Sequence, residues 1–112
     1  MSFLSMLNRK IERLESHIAL TQNEIDAIKE EGWVSNYKEQ IESRMNKLIY
    51  KEGSNPQRIS MKEHLYALLM EAETNPETLK EEKELQLSQK KETLEASLER
   101  AETQLANLEQ SE

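Results

Sequence analysis

Residues 79–108 read LKEEKELQLSQKKETLEASLERAETQLANL. From Leu87 the apolar positions are Leu87, Leu94, Leu98, Ala101, Leu105 and Leu108, with Lys91 the one charged residue among them. Their spacing alternates four and three, which is a heptad seam along one long helix. A seam needs a partner, and the N-terminal segment offers one. Leu4, Leu7, Ile11, Leu14, Ile18, Thr21, Ile25 and Ile28 alternate three and four without a break. Thr21 is their one polar member.

In an antiparallel pair, Leu4 layers with Leu108, Leu7 with Leu105, Ile11 with Ala101, Leu14 with Leu98, Ile18 with Leu94, Thr21 with Lys91, Ile25 with Leu87 and Ile28 with Glu84. Both polar members then share one layer, a device that fixes register at some cost in stability.

The breaks between the seams divide the remainder. Helices are expected over 3–31, from about 36 to 52, from Ser60 to about Glu73, and over 76–110. Gly32 suits the left-handed position past a helix end, with Trp33 packing back on Ile28 as in a Schellman cap. Asn36 with Glu39, and Ser60 with Glu63, have capping-box spacing. Gly53-Ser54-Asn55-Pro56 is the clearest break. Thr74 or Asn75 caps the last helix, with Pro76 in its first turn.

The expectation is an all-α chain of one helical domain, residues 1–112. Helices 3–31 and 76–110 form an antiparallel coiled-coil stalk of roughly 40 Å, and 33–74 forms a helical-hairpin head. A hairpin folded back into a bundle is the alternative. Either seam can also pair with its own copy, and a homodimer is expected because such stripes leave apolar surface for another chain to cover.

Composition agrees with long helices. The 112 residues include 2 Gly and 2 Pro, and 33% are charged. The net charge of −7 argues against nucleic acid as the default partner. With no cysteine there is no disulfide or thiol chemistry. No apolar run approaches the roughly 20 residues that span a membrane, and the first residues lack the order of a signal peptide. A cytoplasmic protein is expected.

Catalytic chemistry finds no motif. His17 and His64 have no partner at metal-ligand spacing, two glycines cannot build a phosphate loop, and no Ser–His–Asp order stands out. Neither enzyme activity, cofactor nor metal is expected. Met1, Met6, Met45, Met61 and Met70 read as adaptable apolar residues.

Charge and aromatics are distributed unevenly. Between Trp33 and Lys62 there are six bases and three acids, so this segment is +3 while the chain's −7 leaves −10 elsewhere. All the Trp and Tyr residues lie in or beside it: Trp33, Tyr37, Tyr50 and Tyr66. Arg, Trp and Tyr commonly anchor interfaces. A partner-binding head is therefore expected from Trp33, Tyr37, Arg44, Lys47, Tyr50, Lys51, Arg58 and Tyr66, with Tyr50 the leading single residue. The plainer alternative is that the aromatics fill the head's core and the bases form a solvated face.

The function expected is a non-enzymatic protein–protein interaction module: an adaptor, assembly factor or small regulator. Two other readings stand beside it. The acidic side of the last helix, Glu81, Glu82 and Glu84 and then Glu92, Glu95, Glu99 and Glu102, can imitate nucleic acid and block a basic surface, although such runs usually mean a solvated helix exterior. The basic head can also bind nucleic acid weakly.

Overall fold

The computed structural model describes residues 2–50 and 56–111, without the side chains of residues 49 and 50. These residues form four helices and no strand: α1 (Phe3–Ile28), α2 (Trp33–Tyr50), α3 (Pro56–Thr74) and α4 (Pro76–Gln110). The all-α class is as expected, and the long first and last helices pack together. The expected break at Gly53-Ser54-Asn55 lies outside the described residues.

Each described boundary has a local cause. Ser2 caps α1: its Oγ accepts the Ser5 N–H at 3.1 Å, and its carbonyl accepts the Met6 N–H at 3.2 Å. Gly32 adopts φ +88°, the left-handed region expected. The turn is closed by the Trp33 N–H donating to the Glu30 carbonyl at 3.3 Å, a shorter loop than the Schellman bond back to Ile28.

The Gly32 carbonyl accepts the Asn36 N–H at 3.0 Å, so α2 begins at Trp33 and Asn36 lies in its first turn. This corrects two expectations, the start near Asn36 and the end of the first helix at residue 31: α1 stops at Ile28, a short turn follows, and Gly32 opens α2. Similarly, α3 begins at Pro56 rather than Ser60. Proline's fixed φ suits the first helical position, and its missing N–H costs nothing there. Asn75 caps α4, its carbonyl accepting the Leu79 N–H at 3.0 Å, with Pro76 in the first turn as expected.

The chain divides into two compact units, one of residues 1–27 with 84–112 and the other of residues 28–83. The first is the α1–α4 helix pair. Leu7, Thr21, Ile25 and Ala101 are buried in it. Ile11, Leu14, Ile18, Leu87, Lys91, Leu94, Leu98, Leu105 and Leu108 are half-buried, and Leu4, near the chain end, is exposed.

Lys91 Nζ donates to Gln22 Oε1 at 2.6 Å, beside Thr21. Ala101, ten residues further along α4, is only 1% exposed. With Gln22 opposite Lys91, α1 covers Ala101 only if the two helices run antiparallel. The expected register places Ala101 on Ile11.

Thr21 is 1% exposed, and its hydroxyl donates to the His17 carbonyl at 2.7 Å. That bond satisfies it within its own helix. Lys91 instead sends its amine outward, to Gln22 and to Glu95 at 3.9 Å. Thr21 is thus satisfied within α1, and Lys91 across the helix pair by Gln22.

The second unit draws its core from every helix: Ile28 from the end of α1, Ile41 from α2, Leu65 and Ala72 from α3, and Leu79 from α4. Within it α2 packs on α3.

Candidate functional site

The expected partner-binding residues separate into distinct groups. Trp33 and Tyr37 stack on each other one turn apart on α2, with centroids 5.3 Å apart and planes at 24°. Both are half-buried. Lys83 Nζ lies 5.6 Å from the Tyr37 ring centroid, a cation over an aromatic face.

The Tyr37 hydroxyl is buried and has no hydrogen-bond partner among the described residues. Burial raises the pKa of this phenol; the Glu71 charge pushes the same way and Arg44 pulls it down. The two rings thus pack on each other inside the second unit, each still half-exposed.

Arg44 and Lys47 are exposed. With Leu48, Met61 and Leu65 they border a groove of about 380 Å³ between α2 and α3. Arg58 is half-buried and engaged in an interaction of its own. Lys51 and the side chain of Tyr50 lie outside the described residues. Two ionic contacts brace the unit's surface, Lys38 to Glu73 at 3.8 Å and Lys80 to Glu77 at 3.9 Å.

Tyr66 is 55% exposed, and it is not alone. Ile59 and Met70 are exposed on the same helix. At 3.6 residues per turn, Ile59, Tyr66 and Met70 fall on one side of α3 while the buried Leu65 and Ala72 fall on the far side. The helix is therefore apolar on two faces, one packed and one open. The sequence signal was available, as the spacings of seven and four from Ile59, but it overlaps the spacing of the buried face. A reading that assigns each helix one apolar stripe passes over it.

Among the described residues no group of three or more His, Cys, Asp or Glu is placed to hold a metal ion, and no helix is long and apolar enough to cross a membrane. What the open α3 face offers is a row of three apolar anchors with Lys62 and Glu63 within it, chemistry for holding another apolar surface. No protein-family model matches the chain, and neither does a curated protein or a solved structure.

Proposed function

We propose that the chain is a non-enzymatic protein–protein interaction module, an adaptor, assembly factor or small regulator acting in the cytoplasm. Its partner site lies in the 33–66 segment and continues to Met70. The α1–α4 pair serves as a coiled coil that sets spacing and carries a second contact. The observation that carries this reading is the open stripe Ile59, Tyr66 and Met70 on α3, opposite the face that packs. Exposed aromatic and Met side chains in a row accept an amphipathic helix, the partner's apolar side meeting the stripe. Arg44 and Lys47 supply charge from α2, and we keep Tyr50, Lys51 and Arg58 as contributors. Trp33 and Tyr37 position the helices.

Affinity capture from native extract, read by mass spectrometry and repeated across variants, tests it. The partner should be lost with Tyr66→Ala or Met70→Ala, each costing about 1–3 kcal/mol of binding. It should be retained by a Glu95→Lys/Glu99→Lys variant, and added salt should weaken it little.

A second reading has its own observation. Glu92, Glu95, Glu99 and Glu102 are all exposed along one flank of α4, which suits an acidic inhibitor of a basic, nucleic-acid-binding surface. Loss of the partner in the Glu95→Lys/Glu99→Lys variant, with Tyr66→Ala still binding, would put that reading first.

A further inference from the structure

The first unit carries two surfaces that fit each other and cannot meet within one chain's own helix pair as register has it. On α1, Met6 is 56% exposed and Leu20 58%, with Arg13 midway. The three are seven residues apart, just under two turns, so they form one line along the helix. They border a shallow depression of about 680 Å³ that includes Ser16 and His17. Lys10 lies one turn before Arg13, and neither base has an ion-pair partner among the described residues.

On α4, Leu85 is 59% exposed, and Glu92 and Glu99 follow at the same interval of seven, both exposed. Glu95 lies one turn beyond Glu92. One surface thus reads apolar, base, apolar; the other reads apolar, acid, acid.

We propose that a second copy of this chain occupies the α1 stripe with the acidic flank of its α4. Run antiparallel, Leu20 meets Leu85, Arg13 meets Glu92 and Lys10 meets Glu95 of the other copy in one register, which also sets Met6 level with Glu99, so the contact rests on the Leu20–Leu85 end and the two charge pairs. The chain's own pairing places Arg13 nearest Glu99, so the contact between copies is shifted by one heptad from the contact within a copy. Pairing the α1 stripe with itself about a two-fold axis would set Arg13 against Arg13, a like-charge contact that disfavours it. The contact therefore joins different surfaces of the two copies. Such a head-to-tail contact leaves an open stripe at one end and an open flank at the other, and it grows into chains or closes into rings. The inference rests on the first unit alone and is independent of the α3 reading.

Sedimentation velocity of the full chain tests it. The parent, 13.1 kDa as one chain, should sediment as concentration-dependent oligomers at low salt and shrink toward the monomer as salt rises. Arg13→Glu alone and Glu92→Lys alone should each weaken association by roughly tenfold or more. Mixed together they should associate again and grow with the two variants alternating, because the acidic flank of one meets the basic stripe of the other and the reversed charges at positions 13 and 92 attract as well. Combining both changes in one chain should restore growth. A parent that stays monomeric at every soluble concentration overturns the proposal. So do single charge reversals that associate like the parent, or a mixture that remains monomeric while each variant keeps its helical circular dichroism.

Discussion

Lys91 on α4 donates to Gln22 on α1 across 69 positions of sequence, at 2.6 Å. The amine has left the seam position it occupies and reached the rim, while Thr21 beside it turns its hydroxyl to the His17 carbonyl. That carbonyl already serves the helix, so the Thr21 hydroxyl gains one local bond in exchange for its bonds to water. Thr21→Val keeps the shape and exchanges the hydroxyl for a methyl. It should stabilise the fold by about 0.5–1 kcal/mol, read as a higher Tm. Adding Lys91→Leu should raise it further by filling the seam with an apolar group. A loss of stability from Thr21→Val would show that the hydroxyl contributes more than its own satisfaction.

The same register sets a covalent test. Leu7 is buried in the first unit, and its expected neighbour across the pair is the half-buried Leu105. Leu7→Cys with Leu105→Cys should oxidise to a disulfide within one chain, visible as faster migration on a non-reducing gel. The control Leu7→Cys with Leu94→Cys should not, because three turns of helix separate those levels.

How much of this was legible beforehand depends on how far each feature reaches in sequence. The seams are strictly local periodicities, so α1, α4 and their packing together could be read from spacing, and Gly32 and Pro76 mark breaks. The start of α2 was less secure because Gly32 and Asn36 are both competent caps four residues apart, and only the carbonyl bond decides between them. The burial of the Tyr37 hydroxyl was not legible in the sequence. It depends on Lys83 and Glu71, from helices much later in the chain, arriving beside the Tyr37 ring. Tyr66 was legible as an anchor, but its companions Ile59 and Met70 were hidden by the competing buried stripe of the same helix.

Gly32 offers a test of backbone strain without steric confusion. At φ +88° an L side chain is strained, yet a Cβ placed there meets nothing within 4 Å. Gly32→Ala should therefore cost about 1–2 kcal/mol through conformation alone. Gly32→Asn should cost less, since Asn tolerates the left-handed region. Chemical denaturation of the two variants gives the comparison, and equal costs would point to a cause other than φ.

Tyr37 is a case where removing a polar atom should help. Its hydroxyl is buried without a partner, while its ring stacks on Trp33 and lies beneath Lys83. Tyr37→Phe keeps the ring contacts and removes the desolvated hydroxyl, so stability should rise by about 1 kcal/mol. Tyr37→Leu, which discards the stack and the cation contact, should fall below the parent.

Glu71 on α3 and Glu82 on α4 meet across the Asn75–Pro76 break, and their side chains share a hydrogen bond. That bond needs a proton on one carboxyl. The bond first, then the Glu71 charge, raises the pKa of Glu82 above its ordinary value of 4.5. The sign follows from proton binding. Between that ordinary value and the raised one, the folded chain holds a proton that the unfolded chain has released. Stability contributed by the pair is therefore fully present below pH 4.5 and falls as pH rises through the raised value. At neutral pH the two carboxylates repel. Glu82→Gln keeps a hydrogen-bond donor facing Glu71 without the second charge. It should stabilise the protein at neutral pH and flatten the rise in Tm that the parent shows on moderate acidification from neutrality. Glu71→Gln should act the same way, because either change leaves one charge at the break. Thermal melts of parent and variants across this pH range decide it. A parent whose profile does not differ from that of Glu82→Gln would mean that the two carboxyl groups do not share a proton in the folded chain.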